Sequence, residues 1–186
     1  DAARKSQPYY IRETTVPPTA YLVGGVPTVI LRFPYIPAGL SLQGDEGWFS
    51  FDGLYYAEHV LRQIIKTGKA DNARLQQAVQ EAALTEGSLS TPFESHGISF
   101  HYRGYCYYTI PIRHFDDSEA PEKTAHGRYG LVRGNEYRIH LTRILRPGSA
   151  LPPDLSKDQR PLTEERDLRS VVHVRPVVTR SHEAHL

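Results

Sequence analysis

Methionine is absent from the 186 residues, and cysteine and tryptophan occur once each. A lone cysteine, Cys106, excludes an intrachain disulfide and any multi-cysteine zinc site. No excess of one charge exists either, since 22 Lys+Arg against 21 Asp+Glu leave a formal charge of +1. No uniform basic field is therefore available to hold nucleic acid or an anionic membrane. The longest apolar runs, such as Val29-Ile30-Leu31 and Val177-Val178, are far too short to span a bilayer as helices. With neither a signal peptide nor an initiator Met, the chain reads as a processed or trimmed product whose missing front end carries the targeting information.

Glycine, proline and tyrosine are plentiful. Gly and Pro supply 28 of the 186 residues, about 15%, against an average usage near 12%. They punctuate many short apolar stretches, which favours strands over long helices. The length predicts one ordinary domain, able to bury roughly 70% of its unfolded surface without a staple.

Residues 1–8 read as a linker or frayed start. Alternation marks a strand over Tyr9–Thr15, stopped by Pro17-Pro18, and a longer one over Thr28–Ile36, with Val29, Leu31, Phe33 and Tyr35 on one face. Pro34 puts that second strand at an edge. Trp48–Phe51, between Gly47 and Gly53, is a short aromatic strand. Over Leu54–Leu84 the spacing turns helical. Leu54, Ala57, Val60, Leu61, Ile64 and Ile65 form one helix stopped by Gly68. Leu75, Ala78, Val79 and Ala82 form a second, capped by Asp71 or Asn72. Strand signals return at Ile98, Phe100 and Tyr102, at Cys106, Tyr108, Ile110 and Ile112, and at Tyr137, Ile139 and Leu141. A 24-residue polar stretch, Arg146–Arg169, holds four prolines and reads as too hydrophilic to pack well. The pattern predicts an all-β chain, a mostly antiparallel β-sandwich of about seven strands over residues 9–170, with a helical insertion at 54–84.

Side chains that could carry chemistry are few and badly spaced for it. His114 with Asp116 and Asp117 has the composition of a base and its orienting carboxylate, but reads as the end of a strand in a solvated loop. Cys106 sits among Tyr105, Tyr107 and Tyr108, the setting of a small apolar core residue rather than a nucleophile. His182 and His185 lie three apart in a terminal tail, whereas a zincin pair needs two histidines four apart on a helix. No catalytic residue, metal site or cofactor is expected.

Two stretches carry a family likeness. The first is Tyr102-Arg103-Gly104-Tyr105-Cys106-Tyr107-Tyr108-Thr109-Ile110-Pro111-Ile112-Arg113-His114. The second is Tyr129-Gly130-Leu131-Val132-Arg133-Gly134-Asn135-Glu136-Tyr137-Arg138-Ile139-His140-Leu141, followed by Ile144 and an Arg146-Pro147-Gly148 turn. Both resemble the C-terminal domain of the Bacteroidales fimbrillins, the type V pilin subunits of Porphyromonas and its relatives. That family shows a G-x-CYY-x-x-PI strand, then a YG-hydrophobic-VRN-x-x-Y lead-in to the next strand. Gly134 interrupts the Arg-Asn pair here. The likeness runs roughly from Tyr9 to Leu186, and complete subunits of the family resemble two sandwiches in tandem.

The resemblance implies a transthyretin-like or Greek-key sandwich and a structural role, in the stalk or at an accessory or tip position of a fimbrium on the outer cell surface. It implies other fimbrial subunits as partners, with host or bacterial surface ligands besides, and no nucleic acid. Fimbrillins resemble strand-exchange polymers, in which a C-terminal strand of one subunit enters a groove of the next. The run 171–186 suits that role on its own alternation. Val172, Val174, Pro176 and Val178 share one face that continues to Leu186, and Val171, His173, Arg175 and Val177 share the other. Val171, Val172, Val174, Val177, Val178 and Leu186 are accordingly the expected donor-strand residues. The competing arrangement is a tail that completes its own sheet. A cell-surface adhesin or carbohydrate-binding sandwich module is the alternative function.

Overall fold

A computed structural model describes residues 9–17, 21–115, 119–120, 125, 127–162 and 167–177. Among these, ten strands and two α-helices follow one another: β1 (Thr14–Thr15), β2 (Thr28–Pro34), β3 (Trp48–Phe51), β4 (Leu54–Ala57), α1 (Glu58–Thr67), α2 (Ala73–Glu81), β5 (Phe93–Ser95), β6 (Ile98–His101), β7 (Tyr105–Pro111), β8 (Gly130–Leu131), β9 (Asn135–Ile144) and β10 (Leu168–Pro176). Every pairing is antiparallel. The fold is all-β with a short helical insertion.

Two ladders face each other across the main core. β2 pairs with β7 from Thr28↔Pro111 to Pro34↔Tyr105, and β9 pairs with β10 from Asn135↔Pro176 to Ile144↔Leu168. Their inward residues alternate as strand geometry requires. Cys106, Tyr108 and Ile110 of β7 pack with Leu31 and Phe33 of β2, Ile139 of β9, and Val172 and Leu168 of β10. Phe33 and Tyr108, diagonal neighbours across the ladder, stack with ring centroids 4.6 Å apart.

A second core lies between the helices and the four-stranded sheet, whose order is β4-β3-β6-β5. Phe49 and Phe51 of β3 and Ile98 and Phe100 of β6 meet Leu61 and Ile64 of α1 and Leu75 and Val79 of α2. Trp48 belongs to the first core. Successive side chains of a strand point to opposite faces, so β3 serves both cores at once.

The helical insertion begins at Glu58, four residues later than the apolar spacing predicts. Leu54–Ala57 instead pairs with β3, from Phe51↔Leu54 to Trp48↔Ala57. Asp52 and Gly53, at φ 48° and 77°, make the two-residue turn. An Asp-Gly pair is a strong hairpin signal, and it overrides the chance helical spacing of Leu54 and Ala57. The helix ends follow expectation. Gly68 takes φ 70° and donates its N–H to Ile64 O. Asn72 caps α2 by accepting from Arg74 N and Leu75 N at 2.9 and 3.2 Å.

Two other expectations need correction. Of the strand expected over Tyr9–Thr15, only Thr14–Thr15 pairs, because β8 offers just two residues; Tyr9 and Tyr10 are 88% and 98% exposed. The polar stretch after Arg146 is no loose connector. Ser149 exchanges backbone hydrogen bonds with Tyr107 at 2.9 and 3.0 Å, and Asp158 O accepts from Gly24 N at 2.9 Å. Gly148 lies so close to β7 that a Cβ there would sit 2.1 Å from Tyr107 O. Ala150 and Leu162 are buried, and β10 starts at Leu168, three residues before the expected run. Backbone bonding and a few apolar anchors dock the segment despite its polar composition.

Candidate assembly surface

β10, paired with β9, holds Val171, Val172 and Val174 of the residues expected to form a donor strand. Val172 sits opposite Ile139 and Val174 opposite Tyr137, with both valines half-buried on the inner side. Val171, His173 and Arg175 are exposed on the outer side. The Arg169/Ser170 step carries a register shift, with Thr142 the extra residue on β9. Home pairing reaches one residue past the strand, as Val177 N–H donates to Gly134 O at 2.7 Å while its side chain is 56% exposed. Val178 and Leu186 lie outside the described residues.

The outer edges of β9 and β10 have no strand partner among the described residues. Val171, Val172 and Val174 thus lie in a strand paired at home, and Val177 is the last described residue.

The residues singled out for chemistry separate cleanly. His114 Nδ1 lies 2.8 Å from Tyr137 Oη, and the same phenol oxygen accepts from Val132 N at 2.7 Å. Those contacts tie the end of the β7 segment to the turn that leads into β9. Asp116, Asp117, His182 and His185 lie outside the described residues. Among the described residues, no three His, Cys, Asp or Glu side chains gather as a metal site would require.

Cys106 is fully buried, and that burial pushes its thiol up to about 12. Its Sγ lies 3.3 Å from Nδ1 of His101, which faces Tyr105 O at 3.1 Å. A carbonyl oxygen only accepts, so Nδ1 carries the proton. A neutral imidazole beside an un-ionised thiol is a packing arrangement, not an activated nucleophile.

Three buried polar residues were not legible in the sequence. His101 reads as an outward residue of an alternating strand. Glu58 occupies a helix start, where a solvated carboxylate is ordinary, yet its Oε2 accepts from Gly47 N at 2.6 Å. Arg128, in a charged loop, is buried and donates to Ala120 O at 2.9 Å. Sequence pattern does not show which of them folding buries, since the covering elements, such as Gly47 over Glu58 and Trp48 over His101, lie elsewhere in the chain.

Residues 99–183 match the family described as major fimbrial subunit protein type IV, fimbrillin, C-terminal. This segment, a little under half of the chain, is similar to a fimbrillin C-terminal region. The matched segment holds both motifs read from the sequence, the strand at Cys106–Ile112 and the Tyr129–Tyr137 lead-in, and it extends through β10. It starts at Ser99, so the likeness read back to Tyr9 runs further than the match. No curated protein matches the chain.

Within the matched segment the motif residues have structural duties. Tyr108 and Ile110 fill the main core, Gly130 lies 2.9 Å by its would-be Cβ from Thr14 O, and Tyr137 anchors His114. The family is a structural one, whose members assemble with other subunits into a fimbrium on the cell surface. No described helix is long and apolar enough to cross a membrane.

Proposed function

We propose that this chain is the polymerising C-terminal part of a fimbrial subunit, in the stalk or at an accessory or tip position, and that it assembles by strand exchange in support of adhesion. The observation that supports exchange is Val177, an apolar, exposed residue directly following a fully paired strand. The sequence beyond it keeps an alternating apolar face through Val178 to Leu186. An added strand gains main-chain hydrogen bonds along an acceptor edge, and pockets for alternate side chains supply specificity. The docked segment 146–162 holds the base of the tail in place, so the exchanging part is the short run from Val177, not a strand on a long tether. The donor residues are then Val177, Val178 and Leu186, with Val171, Val172 and Val174 holding the base strand.

Electron microscopy of fibres from cells making the full-length subunit without residues 177–186 tests this. The expected product is a folded, soluble subunit that cannot extend a fibre. Fibres of normal length would return the tail to an ordinary end of its own sheet.

A further inference from the structure

The outer face of the β9–β10 ladder is strongly basic although the whole chain is nearly neutral. Across the register, Arg143 lies opposite Arg169, His140 opposite Val171, Arg138 opposite His173, and Glu136 opposite Arg175. All eight are exposed. His140 and His173 meet edge to face at 4.9 Å, which fixes their rings side by side on this surface.

Internal carboxylates neutralise it only in part. Glu136 is engaged bidentately by Arg138 at 2.9 and 3.2 Å, and Asp167 is taken by Arg146 at 2.7 Å. Arg143 and Arg169 pair with no described carboxylate. Arg143 and Arg169 set like charges directly opposite each other on the ladder, which is unfavourable for the isolated fold. An external anion would relieve it.

We propose that this face binds a linear sulfated polysaccharide laid along the strands. Each cation is Arg and none is Lys, which favours planar, two-pronged recognition of oxoanions by a weakly hydrated group. Side chains on one face repeat about every 6.7 Å along a strand and about 4.8 Å between strands, a density that needs an anion on nearly every sugar. A protein partner fits less well. Val171 is the one apolar side chain among these eight, whereas protein interfaces bury an apolar, aromatic-rich centre. Residues beyond Val177 take no part, so the proposal stands apart from strand exchange.

The test is affinity of the 186-residue chain for immobilised heparin over a salt series, with a combined Arg143→Gln, Arg169→Gln and Arg175→Gln variant. A control carrying Lys66→Gln, Lys69→Gln and Arg74→Gln makes the same net-charge change on the helical side. Circular dichroism verifies that both variants fold. The expected result is retention at low salt, a loss on the order of tenfold in the first variant, and little change in the control. Desulfated heparin, which keeps its carboxylates, is expected to bind weakly. Absence of retention, equal losses in both variants, or equal binding of desulfated heparin would overturn the proposal. Equal binding of polyphosphate would reduce it to unspecific attraction, and equal binding of polyglutamate would point to an acidic protein instead.

Discussion

The imidazole of His101 lies flat on the indole of Trp48, with ring centroids 3.7 Å apart and planes 13° from parallel. Both rings are buried, and Trp48 Nε1 donates to Tyr35 O at 2.7 Å. This stack sits where the sheet under the helices meets the main core. It places an ionisable ring in a site that disfavours its charge.

Burial lowers the His101 pKa to about 4, against 6.5 for a free side chain, while the hydrogen bond to Tyr105 O acts weakly the other way. The unfolded chain therefore binds a proton between pH 6.5 and 4 that the native chain refuses. Stability is present above pH 6.5, falls as the pH drops through this window, and levels off below about 4. The full loss attributable to His101 is about 3 kcal/mol. Urea unfolding at pH 7.5 and pH 4.5 should show this difference. A folded His101→Gln variant should lose that part of it, and an undiminished pH dependence would contradict the assignment.

Cys106 makes a different prediction. With its thiol fully buried and raised to about 12, alkylation must wait for the chain to open. Native protein should resist iodoacetamide, and labelling should rise with urea in step with unfolding. Cys106→Ala should cost about 1–2 kcal/mol, the loss of a small buried group plus its residual cavity. Rapid native labelling would show an accessible thiolate.

Glu58 holds the start of α1 to the loop before β3. Its Oε2 accepts from Gly47 N at 2.6 Å, and its Oε1 accepts from Arg62 Nε at 2.9 Å. Glu58→Ala leaves the Gly47 N–H buried without that acceptor, at a cost of about 1–3 kcal/mol. Glu58→Gln keeps an acceptor and should be milder. Arg62→Ala removes a half-exposed partner and should cost less than Glu58→Ala. Thermal melts of the three variants should rank them in that order.

Period-two patterns were the most legible part of the sequence. Leu31 and Phe33 on β2, and Cys106, Tyr108 and Ile110 on β7, lie on the faces their alternation assigns, because a buried ladder allows only one register. The helix stop at Gly68 and the cap at Asn72 were equally plain, since both are local backbone chemistry. Leu54–Ala57 was misread because four residues cannot establish a period, and the adjacent Asp-Gly turn decided the matter. The docking of 146–162 was invisible for another reason. Its anchors, Tyr107 and Gly24, are backbone partners remote in sequence. The basic outer face was hidden too, because it depends on cross-strand register between two segments some thirty residues apart.

Val172 and Val177 separate the two duties of the C-terminal run. Val172 packs against the main core beside Ile139, so Val172→Asp sets a charge into an apolar site and should cost several kcal/mol. Val177 is more than half exposed and contributes its backbone, not its side chain, to the home ladder. Val177→Asp should therefore change the subunit's own stability by no more than about 0.5 kcal/mol. In a strand seated in a neighbour's groove, the same aspartate would be buried without a partner. The pair of measurements is a thermal melt of each purified variant and fibre length in cells making each full-length subunit. Val172→Asp should lose both stability and fibres, whereas Val177→Asp should keep its melting temperature and lose fibre extension alone. Full-length fibres built from Val177→Asp subunits would place the exchanging strand elsewhere in the chain.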